Sequence, residues 1–147
     1  MNAFGSETSR DGVILAARIL LVILFLIFGW QKITGFSNTV AYMQMTGAPV
    51  PSLSAVVAII VELFIGLAVL LGILTRPFAV LLAGYSIVTA FIGHRYWTMT
   101  GMARFEAEIN FFKNISIAGG FLLLYVTGPG RYSVDAMMKN KISHSGS

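Results

Sequence analysis

The feature that most constrains the fold is a run of twenty residues, Ala55–Leu74, in which Glu62 is the only charged side chain. An apolar helix of about 20 residues is long enough to cross the roughly 30 Å hydrocarbon core of a bilayer. A carboxylate near the middle of such a helix is costly unless it faces packed protein or a partner of opposite charge. The run therefore predicts a membrane-spanning helix whose centre packs against other helices.

Three further stretches of the chain are apolar over a similar length. The four predicted spans cover about residues 13–33, 53–74, 77–93 and 109–127. Composition agrees with this interpretation, because 56% of the 147 residues are hydrophobic and only 11% are charged, unlike a typical soluble domain. We therefore expect an all-α polytopic membrane protein, a four-helix transmembrane bundle in which residues 1–147 form a single membrane domain with short cytoplasmic tails.

The distribution of basic residues predicts the orientation, because cytoplasmic segments of membrane proteins carry an excess of Lys and Arg. In the predicted topology, one side of the membrane holds six basic residues and the other side holds four. The larger group is Arg10, Arg18, Arg76, Arg131, Lys139 and Lys141, and the smaller is Lys32, Arg95, Arg104 and Lys113. Both termini are therefore predicted to be cytoplasmic.

The residues that are missing exclude several kinds of chemistry. The chain has no cysteine, so disulfides, thiolate metal sites and iron–sulfur clusters are not expected. Its two histidines, His94 and His144, do not form an intramembrane pair that would hold a haem. No nucleotide, metal, phosphate or nucleophile motif occurs. The net charge of +4 is spread along the chain, which suits lipid headgroups and does not indicate nucleic acid.

Polar residues in the spans are the candidate site. In an antiparallel bundle, several of them fall at similar depths and on inward faces, and Glu62 lies near the midplane. Glu62 is predicted to be the buried acidic partner of a basic cluster drawn from Arg18, Lys32 and Lys113. The alternatives are that Glu62 is a purely structural partner and that the lysines extend to the interface. The predicted polar cluster consists of Glu62, Arg18, Lys32, Lys113, Asn110, Asn114 and His94.

The two longer connections, residues 35–52 and 94–108, are predicted to lie on the same side and to cover the mouth of a polar cavity. The first contains a short predicted helix that begins near Ser37 and ends before Gly47 and Pro49, because glycine and proline end helices.

Six short motifs resemble the DoxX family of small bacterial four-helix inner-membrane proteins over roughly Val13 to Asp135. They are GWQKITGF, GAPVP, VELFIG, LLGILTRP, FFKN and GPGRYSVD. The resemblance implies a location in the inner membrane. It also implies kinship with membrane subunits of thiosulfate:quinone oxidoreductases or parts of oxidative-stress complexes. The family's characteristic polar positions match Lys32, Glu62, Arg76 and Lys113.

The resemblance favours an accessory membrane subunit of a redox system that binds a quinone or similar small ligand, contacts membrane lipids and works with redox partner proteins. It would be at most the membrane subunit of an oxidoreductase complex, and the absence of cysteine excludes sulfur chemistry by its own thiols. The alternatives are a small-solute transporter, a lipid-binding module and a structural membrane adaptor.

Overall fold

A computed structural model describes residues 7–145, which form helices joined by short connections and contain no strand. A single 3₁₀ turn, Tyr96–Thr98, follows the third long helix. The all-α prediction is confirmed. The six helices are α1 (Glu7–Thr34), α2 (Phe36–Met45), α3 (Pro51–Leu71), α4 (Thr75–Gly93), α5 (Gly101–Thr127) and α6 (Val134–Ser145).

Within the described residues, four helices are long and apolar enough to cross a membrane, namely α1, α3, α4 with the turn that follows it, and α5. The predicted four-helix transmembrane architecture is thus confirmed, although the boundaries differ. Helix α3 ends three residues before Leu74 because Gly72 adopts a left-handed conformation with φ 74°, which favours glycine. This glycine begins the tight turn to α4.

Helix α5 begins at Gly101, eight residues before the predicted span. The segment that precedes the span is polar, but alanine, arginine and glutamate are good helix formers, so the helix continues through it. The predicted connection 94–108 is therefore helical from residue 101 onward. The true connection between α4 and α5 is residues 94–100.

The helices associate as two antiparallel pairs, α1 with α3 and α4 with α5. The pairs meet in an apolar core at the end of the bundle nearer the chain termini, where Val22, Leu82 and Phe121 are fully buried. The rings of Phe25 and Phe121 pack edge to face with their centroids 5.5 Å apart. Toward the opposite end a cavity separates the two pairs.

Arg18 closes the end of the bundle that carries the termini. Its side chain is almost fully buried and its guanidinium donates hydrogen bonds to the carbonyl oxygens of Leu70, Pro129 and Tyr132, at 3.1, 2.6 and 2.7 Å. These bonds join α1 to the end of α3 and to the segment after α5. Arg18 therefore links three parts of the chain that are distant in sequence.

The segment that begins α6 is fastened to the turn between α3 and α4. The carboxylate of Asp135 accepts hydrogen bonds from the backbone N–H groups of Leu74 and Thr75, at 2.9 and 3.0 Å. These N–H groups lie at the start of α4, where a helix has unpaired donors and a carboxylate is favourable. The chain end predicted as a short tail is therefore a helix, attached to the bundle at its first turn.

Candidate functional site

Helix α3 widens into a π-helical segment, Ile60–Ile65, around Glu62. π-helical turns are rare and occur frequently at functional sites. Helix α1 approaches this segment closely, because a Cβ atom added at Gly29 would lie 2.9 Å from the backbone nitrogen of Leu63. The absence of a side chain at Gly29 therefore lets the two backbones meet beside the carboxylate.

Both carboxylate oxygens of Glu62 have partners on neighbouring helices. Lys32 Nζ of α1 donates to Oε2 at 2.7 Å, and the Tyr85 hydroxyl of α4 donates to Oε1 at 2.5 Å. Glu62 is only 7% exposed, and Lys32 forms the salt bridge that neutralises it. Hydrogen bonds to an ionised group are stronger than neutral ones. The Glu62 cluster, which we define as Lys32, Glu62 and Tyr85, thus joins the last turn of α1 to the middle of α3 and of α4.

The Glu62 cluster lines a cavity of about 900 Å³ between the two helix pairs. On the side of α1 and α3, the cavity has an apolar wall that includes Leu24, Phe28, Leu53 and Val57. On the side of α4 and α5, the cavity wall carries a series of polar side chains. We call this set the polar column, and it consists of Thr89, His94, Asn110, Lys113 and Asn114.

Hydrogen bonds within the polar column are few. Lys113 Nζ donates to Asn110 Oδ1 at 2.6 Å, and the Asn114 amide approaches Thr89 Oγ1 at 3.4 Å. From Tyr85 to His94 the cavity follows α4 for nine residues, which is about 13 Å at the helical rise. The Glu62 cluster and the polar column together therefore offer hydrogen-bonding groups over the length of a small ligand.

Helix α2 borders the same cavity with Thr39, Tyr42 and Met43. Burial raises the pKa of the Tyr42 phenol above its usual value, and a phenol is protonated at neutral pH even with its usual pKa of about 10. The hydroxyl is therefore available as a donor. The first long connection lines the cavity over much of its length, whereas the second contributes only His94 among the described lining residues. The cavity is thus bordered by α2 more than by the second connection.

The structure places six of the seven predicted site residues around one cavity, namely Lys32, Glu62, His94, Asn110, Lys113 and Asn114. Arg18 is the exception, because it lies at the other end of the bundle and donates to backbone carbonyls. Of the three basic residues considered as partners of Glu62, Lys32 forms the salt bridge.

Tyr85 is the site residue that the sequence analysis missed. A tyrosine in the middle of an apolar span needs a partner for its hydroxyl group, and this was the available signal. The same reasoning that singled out Glu62 applies to it.

Comparison with known proteins gives two close relatives. Inner membrane protein YphA of Escherichia coli (strain K12) is 49% identical over 132 residues, which cover 90% of this chain and 94% of that protein. Inner membrane protein YqjF of the same strain is 44% identical over 132 residues, covering 90% and 96%. These names, together with the four candidate spans, support an inner-membrane location.

A more distant relative is the Surfeit locus protein 4 homolog of Schizosaccharomyces pombe, which is 28% identical over 139 residues. They cover 93% of this chain but 41% of that protein. No solved structure matched the chain. The sequence profile of the DoxX family matches residues 13–95, which include Lys32, Glu62 and Tyr85. The chain therefore belongs to the DoxX family.

Proposed function

We propose that this protein is a non-catalytic accessory membrane subunit of a redox system, and that its cavity binds a quinone or similar small lipophilic ligand. The observation that carries the proposal is the division of one cavity into an apolar wall and a polar column. Its volume of about 900 Å³ lies within the range of about 300 to 1,000 Å³ that is usual for small-molecule sites.

The two sides of the cavity match the two parts of a quinone. Its ring carbonyls accept hydrogen bonds, and the ammonium of Lys113 and the amide of Asn114 are donors on the polar column. Its apolar tail would lie along Phe28 and Val57 of the apolar wall. The chain carries no cysteine and no nucleophile motif, so partner proteins would supply the electron-transfer centre.

Filling the cavity is expected to displace the ligand. Thr89→Phe places a ring on the polar column, whereas Ile87→Phe, two positions away on the same helix, adds the same ring at a residue that does not line the cavity. Protein purified in mild detergent should contain a stoichiometric quinone, which Thr89→Phe should reduce at least about tenfold and Ile87→Phe should leave unchanged. Quantitative chromatography of extracted quinones and lipids measures this.

The absence of a copurified quinone would contradict the redox proposal. A stoichiometric lipid that is lost in Thr89→Phe would instead support a lipid-binding module.

We further propose that both termini are cytoplasmic and that the cavity lies toward the periplasmic half of the membrane. The support is the excess of Lys and Arg on the side of the termini. Reporter fusions after Gly47, after Met102 and at the C-terminus are expected to report periplasm, periplasm and cytoplasm. The opposite pattern would invert the topology, and the same report from all three would contradict an even number of spans.

A further inference from the structure

The charges around the cavity do not balance. Glu62 is its one carboxylate among the described residues, and Lys32 already neutralises it at 2.7 Å. Lys113 lines the opposite side and adds a second ammonium. The cavity as a whole therefore carries one positive charge more than its acidic residues neutralise.

The ammonium of Lys113 has few hydrogen-bond acceptors among the described residues. Its Nζ donates to the neutral Asn110 amide oxygen, and in the part of the chain that the structure describes no carboxylate lies within salt-bridge distance of it. An ammonium group has three donors, so two remain for a ligand. The neighbouring Asn114 amide and His94 ring line the same side and add further polar groups.

A further cation stands beside the cavity. The guanidinium of Arg95 donates to the backbone carbonyl of Thr46 at 2.7 Å, and Thr46 is itself a lining residue. The positive charge of Arg95 therefore lies beside the cavity, in addition to that of Lys113 on its wall. Both charges favour an anionic over a neutral polar group in the cavity.

We propose that the cavity takes an amphiphile whose polar end is an anion, held by Lys113, and whose chain lies on the apolar wall. The proposal rests on the proposed function for a small lipophilic ligand in this cavity, and it favours an anionic polar end over the neutral ring of a quinone. A neutral polar end would leave Lys113 without a counter-ion, whereas a carboxylate or phosphate would accept its two free donors. Asn114 lines the same cavity and adds an amide donor to it.

The test compares amphiphiles that differ in charge. The full chain is placed in nanodiscs of zwitterionic phosphatidylcholine at pH 8, where a carboxylic acid is ionised. Dodecanoate, its neutral glycerol monoester and the neutral decylubiquinone are titrated separately, and native mass spectrometry counts the molecules bound. Dodecanoate is expected to bind about tenfold more tightly than the monoester, the size of one charged hydrogen bond.

Matched variants locate the preference. Lys113→Gln should abolish the preference for dodecanoate without changing binding of the monoester, and Lys113→Arg should retain it. Lys139→Gln removes the same charge from an exposed position of α6 and should also retain it. Thr89→Phe should prevent all three probes from binding.

Two results would overturn the inference in different ways. If the monoester binds as tightly as dodecanoate, or the preference survives Lys113→Gln, the anionic ligand class is wrong while the proposed function stands. If no probe shows binding that Thr89→Phe removes, the proposed function fails and the inference fails with it.

Discussion

Replacing Arg18 with methionine is expected to lower the free energy of unfolding by about 3 kcal/mol or more. The substitution leaves the carbonyls of Leu70, Pro129 and Tyr132 without their donor. A buried polar group that loses its partner costs about 1 to 3 kcal/mol. The three lost hydrogen bonds should therefore clearly lower the melting temperature of the detergent-solubilised protein. Size-exclusion chromatography after heating measures the fraction that remains folded at each temperature.

Two variants control this prediction. Arg10→Met removes the same charge from an exposed position of α1 and should leave the melting temperature nearly unchanged. Arg18→Lys should be intermediate, because an ammonium lacks the planar fork of donors that a guanidinium presents. Ligand content per folded molecule should be normal in all three, since Arg18 lies outside the cavity. Equal melting of Arg18→Met and Arg10→Met would show that Arg18 does not hold the end of the bundle together.

The contrast between Arg18 and Glu62 shows what the sequence could predict. Their apolar surroundings identified both as residues that must face protein, since an exposed charge in lipid is costly. Helical spacing also put Lys32 and Arg18 on one stripe of α1, and both side chains do point away from lipid. The membrane depth of each residue and the helix face on which it lies could not identify which basic residue pairs with Glu62. Long basic side chains reach neighbours several residues above or below their own backbone.

The partners of Arg18 could not be predicted from its chemistry. A guanidinium near a carboxylate is expected to pair with it, but Arg18 binds backbone carbonyls that become available only where α3 ends at Gly72 and the chain turns after α5. Those carbonyls are defined by tertiary structure and not by residue type. The π-helical segment at Glu62 was equally hidden, because no residue pattern in the run Ala55–Leu74 distinguishes it from an ordinary α-helix.

The Glu62 substitutions address the centre of the site. Glu62→Leu leaves the partly buried ammonium of Lys32 without its counter-ion and the Tyr85 hydroxyl without its acceptor. Removing one partner of a buried pair typically costs about 3 to 5 kcal/mol, so Glu62→Leu should unfold at a much lower temperature than the parent protein. Lys32→Met should be similarly unstable, because it leaves the carboxylate unpaired.

The double variant Lys32→Met with Glu62→Leu is expected to recover most of the lost stability, since apolar replacement of a whole buried pair is often neutral. The difference between the double variant's change in free energy of unfolding and the sum of the two single changes measures the coupling between the two side chains. Melting in detergent, on the same scale as the Arg18 variants, supplies all the values. A double variant no more stable than Glu62→Leu alone would mean that the 2.7 Å salt bridge does not contribute to folding.

Glu62→Gln separates stability from ligand binding. The glutamine amide oxygen can still accept from Tyr85, but a neutral side chain cannot neutralise Lys32, whose ammonium then faces the cavity uncompensated. If the carboxylate only stabilises the fold, Glu62→Gln should lower the melting temperature and leave ligand content per folded molecule intact. If Glu62 also sets the charge of the ligand site, Glu62→Gln should elute from size-exclusion chromatography like the parent but change its bound ligand, because the unpaired Lys32 ammonium adds a positive charge that favours an anionic over a neutral polar end. Unchanged folding together with unchanged ligand content would remove Glu62 from the site altogether.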